Sequence, residues 1–132
     1  MFTMKTAAQE VGMSYETLRF YCDTGLVPNV ARDKNNYRIF SQNNINWLKG
    51  LQKLKKCGMS IKDMKHYMNL CLEGISSIDE RKAMLDEQRK ALVKKLDEIH
   101  DCLDFIDDKQ EFYDGVLDGR VPYISNLVAS GT

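Results

Sequence analysis

Residues 14–28, SYETLRFYCDTGLVP, decide how this chain reads. Ser14 can accept a hydrogen bond from the unpaired N–H groups of a helix's first turn. Gly25 can take the left-handed backbone that ends the helix, and Pro28 keeps it from resuming. Just upstream, TMKTAAQEVGMS (residues 3–14) supplies Thr3 as a cap, a run of good helix formers, and Gly12 as a stop. Two short helices joined by a tight glycine-containing turn have the shape of a helix-turn-helix. In the second helix Leu18 and Cys22 recur one turn apart and are expected to face inward. Tyr15, Thr17, Arg19 and Tyr21 then lie on open faces. Hydroxyls, aromatic rings and a guanidinium in the first two turns suit base edges and phosphates.

Outward from this stretch, YRIF (37–40) alternates as a short strand after a turn at Asp33–Asn36. Arg32, Lys34 and Arg38 crowd this hairpin beside Tyr37, giving a cationic wing fit for phosphate contacts. Ser41 opens a third helix with Ile45, Leu48, Leu51 and Leu54 inside and Trp47 as a core or hinge aromatic. Lys49, Lys53, Lys55 and Lys56 precede its stop at Gly58. Ser60 followed by Asp63 opens a fourth helix with Ile61, Met64, Met68 and Cys71 inside.

MSYETLRFYCDTGLVP (13–28), NYRIFS (36–41) and KLKKCGMSIKDM (53–64) together resemble the winged helix-turn-helix of the MerR family of bacterial transcription regulators. The likeness spans residues 2–72. It implies that Thr17 and Arg19 meet bases and backbone, that Tyr21, Tyr37 and Arg38 touch phosphates, and that Lys56 adds charge nearby. The full set expected at DNA is Tyr15, Thr17, Arg19, Tyr21, Arg32, Lys34, Tyr37, Arg38 and Lys56. Three positions depart from the family pattern: Phe20 replaces a tyrosine, Cys22 a common glutamate, and Asn36 a glycine. Asparagine tolerates left-handed backbone, so the wing turn is expected to survive.

Beyond residue 76 the pattern changes. Ser77 with Glu80 reads as another capping box, opening a charged segment free of Gly and Pro until Gly115. Ile78, Leu85, Leu92, Ile99, Ile106 and Tyr113 fall seven residues apart, and Leu96 and Leu103 add to the same stripe. Sustained heptads predict a coiled coil, here a dimer interface of Ile78, Leu85, Leu92, Leu96, Ile99, Leu103, Ile106 and Tyr113. Charge sets its direction. Residues 78–95 hold six basic and four acidic side chains, whereas 96–114 hold one basic and eight acidic. A parallel pair would lay acid on acid; an antiparallel pair lays each acidic half along the partner's basic half. The resemblance implies the same antiparallel coil, with a DNA-binding head at each end.

The zero net charge hides this division: residues 1–72 carry 11 Lys and Arg against 5 Asp and Glu, and 73–132 carry 8 against 14. The predicted fold is all-α with a small β wing. Its parts are a winged helix-turn-helix DNA-binding domain (1–72), a linker (73–76), a long antiparallel coiled-coil dimerisation helix (77–114) and a short C-terminal tail (115–132). No apolar run reaches the length of a membrane span and no signal core opens the chain, so a cytoplasmic protein is expected. Metal-sensing relatives place cysteines at the start of the dimer helix and in a loop after it. Here 76–84 and 114–132 contain none, and His100 and Cys102 point to different helix faces. No metal and no cofactor are therefore expected. No catalytic constellation stands out, so no enzyme is expected either.

A thiol switch is the remaining chemistry. Cys57 sits among Lys53, Lys55 and Lys56 and is the candidate sensor for an electrophile, with a purely structural thiol as the alternative. The function expected is a homodimeric transcription regulator on a pseudo-palindromic promoter operator. The resemblance implies bending and untwisting of that promoter for RNA polymerase, in response to a small molecule or stress. A coiled-coil adaptor or anti-activator that binds protein instead is the alternative.

Overall fold

The computed structural model describes residues 1–129, which fall into two compact units, one from Met1 to Arg89 and one from Lys90 onward. In the first, α1 (Met4–Val11) and α2 (Tyr15–Asp23) form the helix-turn-helix. A two-stranded antiparallel wing, β1 (Ala31–Arg32) and β2 (Arg38–Ile39), leads into α3 (Gln42–Lys56) and α4 (Ile61–Glu73). A single 3-10 turn at Gly74–Ser77 follows, and α5 (Ile78–Leu117) begins directly after it.

Local chemistry explains most of these boundaries. Thr3 caps α1 with a reciprocal box to Thr6, and Gly12 ends that helix at φ 81°. Ser14 and Ser60 each accept the N–H three residues on, and Ser41 forms a full box with Asn44. The wing turn is held by the Asp33 carboxylate, which accepts the N–H groups of Asn35 (2.8 Å) and Tyr37 (3.0 Å). Asn36 takes the left-handed conformation at φ 65°, so the substitution of glycine there leaves the turn intact.

The head is organised around Leu18, Leu26, Phe40, Ile45, Leu48, Leu51 and Met64, all fully buried and drawn from α2, α3, α4 and the segments on either side of the wing. Two contacts lock the periphery to this core. Phe2 and Phe40 exchange backbone hydrogen bonds of 2.8 Å, tying the N-terminus to the end of the wing. Trp47, half-buried and packed against the core, donates its indole N–H to the Leu26 carbonyl at 2.8 Å.

Residues 73–76, expected as a linker, are instead the end of α4 and most of the 3-10 turn. The capping box expected at Ser77 does not form. The Ser77 hydroxyl is buried and donates to the carbonyls of Leu70 and Gly74, while Arg81 donates to Ser77 Oγ (3.1 Å) and to Gly74 O (2.6 Å). Because the 3-10 turn already supplies carbonyls ahead of α5, the new helix needs no side-chain cap. His66 of α4 faces Glu80 of α5 at 3.4 Å, both side chains remaining exposed.

In the second unit α5 runs through Gly115 and stops at Leu117. Gly119 at φ 84° closes it as a Schellman motif, with Arg120 N–H donating to Gly115 O (2.9 Å) and Gly119 N–H to Val116 O (3.3 Å). Gly115 gives the tail its close approach: a Cβ there would lie 2.9 Å from Val121 Cγ2 and force that side chain to shift. The tail thus folds back on its own helix. Phe105, Phe112 and Tyr113 with Tyr123, Ile124 and Leu127 line an open groove of about 530 Å³ there.

Leu48→Ala is expected to lower the unfolding free energy by about 2–5 kcal/mol, the range for a fully buried leucine. Urea titration at fixed protein concentration checks this, and an unchanged midpoint would place Leu48 outside the core.

Candidate nucleic-acid interface

Burial of Leu18 turns the opposite side of α2 outward. Ser14 Oγ accepts the Thr17 N–H (3.1 Å) and donates to Thr17 Oγ1 (2.8 Å), so the first turn of α2 is tied at the surface with its hydroxyls prearranged. Tyr15, Thr17 and Arg19 are all accessible, Arg19 strongly so with 69% of its side chain exposed. The positive end of the helix dipole lies in this turn, which favours a phosphate there.

Tyr21 is the exception. It was expected on an open face but is only 2% exposed and belongs to the core. It stands three residues after Leu18, on the same helix face, and the i, i+3 relation places its ring inside. Burial also pushes its phenol pKa up, keeping the hydroxyl protonated. Leu18, Tyr21 and half-buried Cys22 therefore form the inner face of α2.

The wing presents Arg32, Lys34 and Tyr37, the last 70% exposed. Arg32 donates from Nη1 to the Asn36 carbonyl (3.0 Å), bracing the hairpin tip. Arg38 is the most anchored cation of the group, with 23% of its side chain exposed and Nη2 donating to Asp23 Oδ1 at 2.9 Å. Asp23 also faces Arg19 at 3.7 Å. Lys53, Lys55 and Lys56 fill the last turn of α3, where cations complement the helix dipole. Recognition helix, wing and α3 terminus thus each present exposed cations or hydroxyls, and neutralising phosphates is the chemistry this set supports.

The free thiols differ in setting. Cys57 is the half-buried C-cap of α3, its N–H bonded to Lys53 O at 3.0 Å. Cys22 is half-buried, and its pKa is raised first by burial. Arg38 and Arg32 oppose that shift and Asp23 adds to it. Arg81 Nη1 lies 3.9 Å from Cys71 Sγ, and Cys102 is exposed on α5. Among the described residues no group of His, Cys, Asp and Glu is placed to hold a metal ion, and no helix is long and apolar enough to cross a membrane.

Comparison with known proteins gives one answer. Residues 2–71 match the family described as MerR HTH family regulatory protein. An uncharacterised HTH-type transcriptional regulator of Haemophilus influenzae is 38% identical over 112 residues, covering 85% of this chain and 83% of its own. The regulator AdhR of Bacillus subtilis is 32% identical over 87 residues, 66% of this chain and 62% of that one. Among solved structures, HiNmlR, a MerR family regulator lacking the sensor domain and bound to promoter DNA, superposes with a TM-score of 0.74. It shares 37% identity, and 89% of each chain is covered. A putative MerR family regulator of Listeria monocytogenes gives 0.79 at 28% identity, with 90% of each covered. These relatives are transcription regulators and not enzymes, in keeping with the expectation from the sequence.

A thiol-alkylation time course followed by mass spectrometry should label exposed Cys102 first and Cys22 late. Because its pKa is raised, Cys22 is protonated at neutral pH, and its labelling should accelerate as the solution is made alkaline. Labelling of Cys22 as fast as Cys102 at neutral pH would contradict the packing of α2.

Proposed function

The chain belongs to the MerR HTH family of regulatory proteins, and from that premise we propose how its geometry serves DNA-binding transcription regulation. Each head grips duplex DNA with Tyr15, Thr17 and Arg19 of α2 in the major groove. Arg32, Lys34, Tyr37 and Arg38 of the wing, and Lys56 of α3, meet flanking phosphates. The observation that carries this reading is the outward α2 face beside a cationic wing, all on one buried core. The promoter-bound relative supports the same use of the head.

The operating form is a homodimer through α5. Its seam residues Ile78, Leu85, Leu92, Leu96, Ile99, Leu103, Ile106 and Tyr113 are 38–56% exposed in the single chain, too much apolar surface for a helix of 40 residues to leave in water. In an antiparallel pair centred on the stripe, Ile78 meets the second copy's Tyr113, Leu85 its Ile106, and Leu92 its Ile99. The same register lays the basic first half along the acidic second half. Two heads at opposite ends of one rod suit a pseudo-palindromic operator. By bending and untwisting that promoter, they would present its elements to RNA polymerase. The signal is a small molecule or an electrophile, with half-buried Cys57 among three lysines as the thiol that an electrophile would modify.

Arg19→Ala is expected to weaken DNA binding and to flatten the dependence of log K on log salt by about 0.9 for each phosphate it no longer neutralises. Fluorescence anisotropy across a salt series measures both, and unchanged affinity and slope would remove α2 from the interface. For the coil, Leu85→Cys and Ile106→Cys combined in a cysteine-free background should cross-link two chains on oxidation, and Leu85→Cys alone should not. Efficient cross-linking of the single variant would mean a parallel pair.

A further inference from the structure

Asp23 sits where two local rules speak against it. It is the last residue of α2, where a carboxylate meets the negative end of the helix dipole, and α2 carries no basic residue in its final turn. It also places an anion beside the groups proposed to meet phosphate. What surrounds it explains its presence. Arg32 and Arg38 are directly opposed across the β1–β2 ladder, a like-charge pairing that a two-stranded wing tolerates poorly. Arg32 is drawn off toward the hairpin tip by its bond to the Asn36 carbonyl. Arg38 is drawn the other way, onto Asp23 Oδ1 at 2.9 Å, while Asp23 Oδ2 faces Arg19 Nε at 3.7 Å. One carboxylate therefore joins the C-terminus of the recognition helix to the base of the wing and is shared by two guanidinium groups.

We propose that Asp23 is a specificity-determining positioning residue, which holds Arg38 and Arg19 in one arrangement and withholds part of their charge from DNA of arbitrary sequence. On a matching site both arginines reach partners in the geometry that Asp23 enforces, so holding them there does not weaken the complex. On random duplex the phosphates must compete with a carboxylate already bonded to Arg38, and non-specific attraction is reduced. Removing that carboxylate frees Arg38 to follow any phosphate, which raises sequence-independent binding and its salt dependence. The proposal rests on the DNA-binding reading given above.

The test uses the full-length chain and two duplexes, one enriched by the wild type from a random-sequence pool and one scrambled from it. Asp23→Asn should bind the scrambled duplex several-fold more tightly at low salt, with a salt slope steeper by about 0.9, as for one more neutralised phosphate. Its preference for the enriched over the scrambled duplex should fall several-fold. Asp23→Glu, which keeps the charge, should retain most of that preference. In an Arg38→Gln background Asp23→Asn should change scrambled-duplex binding far less, because the carboxylate acts mainly through Arg38. Unchanged preference and slope in Asp23→Asn, or an equal loss of affinity on both duplexes, would overturn the proposal. Should Asp23→Asn fail to fold, Arg38→Gln by itself decides. Lower preference with Asp23 still in place supports a shared device, and unchanged preference overturns it. Failure of the wild type to enrich any sequence would instead reject the DNA-binding reading itself.

Discussion

Everything in the head depends on the burial of Leu18 against Leu26, Phe40, Ile45, Leu48, Leu51 and Met64. A nine-residue helix such as α2 has no stability of its own in water, so its orientation comes from the face it buries. With Leu18, Tyr21 and Cys22 turned inward, the rotation of the helix is fixed, and Thr17 and Arg19 have no direction left except outward. Phe40 belongs to the same core and ends the wing, so one packing event places the recognition helix and the hairpin together. The Phe2–Phe40 bridge then ties the N-terminus to the end of the wing, and the Trp47–Leu26 hydrogen bond ties the segment after α2 to α3.

Charge divides the labour along the chain. The head collects cations at Arg19 of α2, in the wing and at the end of α3, and a cationic surface of this kind gains free energy by meeting an anion. The second half of α5 is acidic and its heptad stripe is apolar and exposed, a surface that suits the proposed second copy of the chain and not a polyanion. Asp23 is a carboxylate seated between α2 and the wing cations, and its contacts with Arg19 and Arg38 tie it to the cations proposed to meet DNA.

The sequence disclosed what local chemistry controls. Thr3, Ser14, Ser41 and Ser60 are caps because a hydroxyl three residues from an unpaired N–H is sufficient, and Gly12 ends its helix by a conformation other residues resist. Asn36 is readable for the same reason. Tyr21 is misplaced by sequence reasoning although Leu18 lies three residues before it, since pairing Leu18 only with Cys22 ignores half of the helix period. Ser77 misleads because its motif is local while its partners, Leu70 and Gly74, belong to the preceding helix and turn. The continuation of α5 through Gly115 and the fold-back of Val121 depend on a contact six residues away that no periodicity announces. The Asp23–Arg38 pair lies fifteen positions apart in sequence and becomes visible only when the wing closes onto α2.

The central claim is that two such heads, joined by one shared rod, occupy one duplex. Native mass spectrometry of the protein on a short duplex enriched from a random pool tests it most directly. The account predicts two chains per duplex as the dominant species, with no stable complex of one chain. A one-to-one complex that persists as protein is added in excess would contradict it.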